Sequence, residues 1–172
     1  EGASAQFTST GKVLDFPIGT VLIKTFFYQN DERDLTKGKR NIETRLLVKG
    51  KEKWEAHGYT WNDEQTEATL DIVGDIKSVN WINEQGKPMM VDYIIPNKNQ
   101  CKGCHYNKGM QEPIGPKVRN LNKDFAYLDG KMNQLEKWNT MGYLTDYQSD
   151  TNYKKVAQWD KPNSGTLHER AL

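Results

Sequence analysis

Cys101-Lys102-Gly103-Cys104-His105 reads C-x-x-C-H. It uses both of the chain's cysteines and one of its three histidines. Two thiols at this spacing, followed at once by an imidazole, suit three chemistries. They can add across the two vinyl groups of a haem as thioethers, with the imidazole as proximal ligand to the iron. They can act as a redox dithiol, which calls for a βαβ setting. They can hold zinc, which calls for a fourth ligand. No βαβ alternation is visible, and His57 and His168 do not form a ligand-spaced pair. The spacing brings both sulfurs within one helical turn, in reach of both vinyl groups. One haem c per chain is the expected cofactor, held by Cys101, Cys104 and His105. Two cysteines are too few for a disulfide framework.

A proximal histidine needs an acceptor for its other ring nitrogen. Downstream lies Pro113-Ile114-Gly115-Pro116, and here the sequence resembles the class I c-type cytochromes. In that family C-x-x-C-H is followed at about this distance by Gly-Pro, and the proline carbonyl accepts from the proximal histidine. The resemblance implies that role for Pro116. It also implies a sixth iron ligand from a methionine beyond the next helix, a position that Met141 matches best. Met132 and Met110 are alternatives, with Met89, Met90, His57 and His168 behind them. A thioether ligand favours electron transfer, whereas an open site favours peroxide or small gases. The ordinary role of each methionine is core packing. His57, between Trp54 and Tyr59, also reads as an exposed strand residue. Arg45 is a candidate partner for a haem propionate, since a guanidinium matches a carboxylate bidentately. An ion pair within the protein serves Arg45 equally well.

Further segments carry a wider resemblance. They are Lys24-Thr25-Phe26, Glu43-Thr44-Arg45-Leu46-Leu47, Tyr59-Thr60-Trp61-Asn62, Gln65-Thr66-Glu67-Ala68, Tyr93-Ile94-Ile95-Pro96-Asn97, Asn99-Gln100-Cys101, Arg119-Asn120-Leu121-Asn122 and Asn133-Gln134-Leu135. Together they resemble an exported bacterial family in which a β-rich segment precedes a class I-like haem c domain. Members often carry a second C-x-x-C-H after a segment like Leu167 to Leu172; one motif is present here. The resemblance implies a periplasmic or extracellular electron carrier rather than an enzyme. Its partners would be redox proteins, with association to other cytochromes or to further copies of itself. A haem enzyme or sensor with a labile sixth site is the alternative, and a β-module that docks a cytochrome to a partner or polysaccharide is another.

The elements that must position these residues are of two textures. Residues 21–28, 42–48, 54–61, 66–73, 78–82 and 90–95 are short β-branched and aromatic runs, which predict an antiparallel sandwich or barrel. Residues 30–40 read as an exposed loop. Asp31-Glu32-Arg33-Asp34 within it is a solvated tip rather than a calcium loop, because its oxygens do not alternate as that loop requires. After Pro96 the texture shifts, and residues 131–141 predict an amphipathic helix that ends at Gly142. A helical pattern starts again at Leu167. The expected fold class is α+β: a flexible start over 1–11, a β-rich domain over 12–95, and a mostly helical cytochrome c-like domain over 96–172.

Composition bounds the function. Lys+Arg 24 against Asp+Glu 23 gives a net charge of +1, so general nucleic-acid affinity is not expected. Lys102, Lys108, Lys117 and Lys123 crowd near the motif in sequence and could steer an acidic redox partner or simply be solvated. No apolar stretch is long enough for a membrane-spanning helix. Two ionised haem propionates would shift the net charge to about −1.

Overall fold

The computed structural model describes residues 2–9, 11–107, 109–149 and 153–171, with the side chain of Lys102 also left aside. In chain order the strands are β1 (Ala5–Gln6), β2 (Val21–Gln29), β3 (Lys39–Lys49), β4 (Trp54–Trp61), β5 (Ala68–Asp71), β6 (Asp75–Ile82) and β7 (Pro88–Ile95). Helix α1 (Lys98–His105) and the short strands β8 (Tyr106–Asn107) and β9 (Met110–Gln111) follow. The remainder is α2 (Val118–Leu121), β10 (Asp124–Tyr127), β11 (Gly130–Asn133), α3 (Gln134–Thr140), β12 (Leu144–Thr145) and α4 (Leu167–Ala171).

Two compact units form: residues 19–112, and residues 1–18 together with 113–172. The division places α1 with the β-strands that precede it. In the 19–112 unit, β2-β3-β4-β5 is an antiparallel sheet and β6-β7 a separate hairpin. The pairing of β2 with β3 slips between Phe26 and Phe27, which pair with Glu43 and Asn41. Ile42 is left as the extra residue of a β-bulge, a device that bends the strand and re-aims its side chains. Alternation along the strand would expose one of Ile42 and Glu43, yet both are buried, at 2% and 1% exposure. Ile42 packs with Val79 and Ile95, with Tyr28, Val91 and Tyr93 around them. The hairpin β6-β7 therefore lies on the sheet face that carries Glu43.

The turn from β5 into β6 fixes where α1 starts. Gly74 has φ +85, and a Cβ there would stand 2.6 Å from the Ile95 carbonyl and 2.9 Å from the Asn97 nitrogen. The close approach lets Lys98 N–H donate to the Ile72 carbonyl at 3.2 Å.

In the other unit, β1 and β12 pair in parallel and β10-β11 is a hairpin. Ala5, Leu14, Phe16, Val118, Leu135 and Leu144 are its buried apolar residues. The rings of Phe7, Tyr147 and Tyr153 meet at centroid distances of 5.2 to 6.2 Å.

The expected mostly helical cytochrome c-like domain is not formed. Among the described residues 41% are strand and 18% helical, and the α-helices are α1 to α4, of four to eight residues. Beyond residue 112 these are α2, α3 and α4, of four, seven and five residues. Proline and glycine at 113, 115, 116, 130 and 142 interrupt the segment from 113 to 142 before a long helix can grow. The helix expected over 131–141 begins only at Gln134. Asn133 accepts the Leu135 N–H as its cap, and residues 130–133 pair as a strand instead. Gly142, at φ +74, follows the helix end as expected. Leu172, the last residue of the pattern beginning at Leu167, lies outside the described residues. Among the described residues no helix is long and apolar enough to cross a membrane.

Substituting Gly74→Ala forces both a strained φ and a backbone clash. A loss of roughly 1–3 kcal/mol in unfolding free energy is expected, measured by denaturant titration. An unchanged midpoint would show that the β5–β6 turn does not set this junction.

Candidate haem-attachment site

Helix α1 is short, and its start is held by side chains. Asn97 Oδ1 accepts from the N–H groups of Asn99 (3.0 Å) and Gln100 (2.9 Å), while Gln100 Oε1 accepts from Asn97 N–H at 2.9 Å. This reciprocal box satisfies donors that a helix start leaves unpaired. It orders the turn that carries Cys101, Cys104 and His105. At spacings of three and four these residues share one helix face. Both thiols are free; Cys104 is exposed and Cys101 partly so.

The helix stops at His105 because Tyr106 turns extended, at φ −95 and ψ 118. Strands β8 and β9 then pair antiparallel, Tyr106 with Gln111 and Asn107 with Met110. That hairpin returns the chain to His105. Glu112 N–H donates to the His105 carbonyl at 2.8 Å. His105 Nδ1 lies 3.0 Å from the Glu112 carbonyl. A carbonyl can only accept, so Nδ1 is the protonated nitrogen and Nε2 keeps its lone pair for a metal. Two free thiols and an imidazole oriented by a carbonyl are the protein groups a covalently attached haem needs, so these residues fit that cofactor. Among the described residues no three His, Cys, Asp or Glu side chains converge as a metal cluster. Haem iron takes four nitrogens from its porphyrin and needs no such cluster.

Pro116, expected to hold the histidine, belongs to the other unit, where its carbonyl accepts from Leu14 N–H at 3.0 Å. The acceptor at Nδ1 is the Glu112 carbonyl. Sequence reading could not single it out, because any residue supplies a carbonyl and only the hairpin decides which one arrives. Met110 stands on β9, 57% exposed. Met132 is on β11 and Met141 caps the C-terminus of α3, at 38% and 49% exposure. Met89 and Met90 are on β7, and His168 is on α4. His57 lies on β4 next to Gly58, which pairs with Arg45. Strand alternation therefore puts His57 on the sheet face opposite Arg45. Its Nε2 is 3.9 Å from Glu55 Oε2. Lys117 and Lys123 flank α2, while Lys108 and the side chain of Lys102 lie outside the described residues. Asp31, expected in a solvated tip, is instead 2% exposed, and its carboxylate is occupied by Arg33 and by Lys37. Those hydrogen bonds hold it well below the usual carboxylate range.

Arg45 has a role within the protein. Its Nε and Nη2 donate to the two oxygens of Glu43 at 2.7 and 2.5 Å. Tyr93 Oη donates to the same carboxylate at 2.7 Å. The guanidinium carbon lies 4.4 Å from the centroid of Phe26. Burial works against the charge of Arg45, but the hydrogen bond and charge of Glu43 outweigh it, with smaller contributions from Tyr93 and Cys101. Burial and the bond to Glu43 both push the Tyr93 phenol up. Glu43 and Tyr93 carried no motif, and their meeting depends on the bulge.

Comparison of the chain with protein families, with curated proteins and with solved structures finds no match.

Two outcomes follow from that geometry. Nitrogen-15 NMR of the protein without haem should find neutral His105 protonated at Nδ1. Glu112→Ala should preserve this and Glu112→Pro, which removes the N–H, should lose it. Protonation at Nε2 in the parent protein would reject the clamp. Tyr93, with a phenol pKa raised in the fold, contributes stability that is complete below the unfolded value near 10 and lost as pH rises through the folded value. Tyr93→Phe should therefore leave tyrosinate absorbance unchanged to about pH 11 and remove only the last step. An early loss of absorbance would place Tyr93 in water.

Proposed function

We propose that the chain carries one covalently attached haem on Cys101 and Cys104, with His105 as axial ligand, and transfers single electrons. The observation that carries this reading is the pairing of His105 Nδ1 with the Glu112 carbonyl, on the same helix face as the two thiols. A C-x-x-C-H segment that met only by chance would have no need of an oriented imidazole. Bound there, the haem supplies an iron that cycles between ferric and ferrous by one electron.

The protein's part is to hold and tune. Cys101 and Cys104 would each add across a vinyl group, the sulfur to one vinyl carbon and the hydrogen to the other, with nothing released. The covalent links let a short helix retain the cofactor without a deep pocket. His105 presents Nε2 because its Nδ1–H is committed to Glu112. Arg45 remains the candidate partner for a haem propionate, since a guanidinium matches a carboxylate bidentately. Of the candidate sixth ligands, Met110 and His57 belong to the same unit as His105, and Met141 and Met132 to the other. Redox proteins are the proposed partners, and export to the periplasm or cell surface matches the compartment in which bacteria attach haem c. A vacant or labile sixth site would instead make the chain a haem enzyme or gas sensor.

Expression in a host with haem c maturation tests the reading. The purified protein should keep haem on a denaturing gel and give a pyridine haemochrome spectrum of thioether-linked haem. Cys101→Ala or Cys104→Ala should lower the holoprotein yield and leave at most one thioether. His105→Ala should abolish the low-spin spectrum. The parent should ignore carbon monoxide. A parent without covalent haem sinks the proposal. A parent that binds carbon monoxide at once sinks the electron-carrier form of it.

A further inference from the structure

We propose that the cleft between the β5 edge of the sheet and strand β6 binds neutral saccharides, with Lys77, Asp75 and Thr69 as its hydrogen-bonding groups. The inference goes beyond the haem reading and does not depend on it. The strand register builds the cleft. Glu43 pairs with Thr60 and Thr60 with Thr69, so both threonines stand on the sheet face that carries Glu43. Asp71, two residues past Thr69, shares that face, and Thr60 Oγ1 donates to its Oδ2 at 2.9 Å. On the hairpin Lys77 pairs with Tyr93, which reaches Glu43, so Lys77 and Asp75 face the sheet. Between these two walls is an open cleft of about 420 Å³, within the ~300–1,000 Å³ typical of small-molecule sites.

The polar groups of the cleft are only partly used. The Lys77 side chain is 26% exposed, yet its Nζ lies 3.7 Å from Asp75 Oδ2 and 4.0 Å from Asp63 Oδ1, beyond hydrogen-bonding distance of either. Asp75 Oδ1 accepts from Ile76 N–H at 2.8 Å, which leaves Oδ2 for another donor. Burial raises the Asp71 carboxyl, but bonds from Gly74, Thr60 and Val73 outweigh it and keep it below the usual carboxylate range. Asp71 is therefore a fixed part of the wall. The gap between the Lys77 ammonium and the Asp75 carboxylate suits a bridging hydroxyl, which accepts from one and donates to the other. Adjacent hydroxyls on a sugar ring repeat that pattern, and Thr69 on the opposite wall offers a hydroxyl for the next. An anion would meet Lys77 but also the carboxylates of Asp63, Asp71 and Asp75, and a cation would meet Lys77. A neutral ligand that both donates and accepts avoids both penalties. Trp61 lines the cleft, but its indole N–H is committed to Thr44 on the other sheet face, so binding rests on hydrogen bonds rather than ring stacking and is weak.

The experiment is an amide NMR titration of the full chain, any attached haem reduced, with maltose, cellobiose and lactose, and with galacturonic acid and glucosamine as charged comparators. At least one neutral sugar should give saturable shifts at Thr60, Thr69, Asp71, Asp75 and Lys77. Lys77→Met, which keeps the side-chain length and removes the donors, should weaken that binding about tenfold, and Thr69→Val about fivefold. If Lys77→Met does not fold, Asp75→Ala takes its place with the same expected loss. Both charged sugars should bind more weakly than the neutral one. No saturable shift with any neutral sugar, shifts confined to residues outside the cleft, variants that bind as the parent does, or tighter binding of either charged sugar overturns the proposal. The haem reading stands or falls separately, on covalent haem in the parent.

Discussion

Glu43 is a carboxylate removed from water, and the 19–112 unit is arranged around its neutralisation. A bare ion in that position would cost several kcal/mol, so the fold must bring donors to it. Two come from Arg45, two residues along the same strand and hence on the same face. The third comes from Tyr93, on the hairpin that covers that face. The β-bulge makes this possible. It turns Ile42 and Glu43 inward together, so that one residue fills the apolar cluster with Val79 and Ile95 while its neighbour receives the polar groups. Apolar and ionic contacts between sheet and hairpin are thus made by adjacent residues of one strand.

The same arrangement reaches the attachment motif. Strand β7 leads from Tyr93 through Ile95 into Pro96 and the Asn97 cap, so the register that places Tyr93 over Glu43 also fixes the start of α1. Gly74 admits the close backbone contact that secures this junction. At the other end of the helix, the β8–β9 hairpin returns Glu112 to His105 with one hydrogen bond in each direction. The eight residues of α1 would be marginal as a free helix. They are held by a side-chain box at one end and a backbone clamp at the other. On the proposed haem reading, this order is in place before the cofactor is bonded, so that thiols and imidazole meet it from one side.

Much of this was legible in the sequence, and the reasons differ by element. Strand β4 matches the expected 54–61, and its neighbours differ by a few residues at their ends, because β-branched and aromatic runs mark strands through local sterics. The C-x-x-C-H spacing specifies its helix face by geometry alone. The Asn97–Gln100 box is also written in the residues, an Asn followed three positions later by a Gln at a helix start. The helical cytochrome domain was carried by resemblance, and local chemistry argues against it over residues 113–142, where prolines and glycines break the chain into short pieces. The assignment of Pro116 rested on the same resemblance. Its carbonyl is instead taken by Leu14, far away in sequence.

Residue types and short spacings, then, determined by themselves the strands, the turn positions and the chemistry that Cys101, Cys104 and His105 can perform. The tertiary structure alone decided which carbonyl holds His105, which cation meets Glu43 and which face of the sheet His57 occupies. The physical reason is that side-chain chemistry is local and written in residue identity. A backbone acceptor or a buried counter-ion is supplied by whichever distant segment the bulge and the hairpins bring within hydrogen-bonding distance.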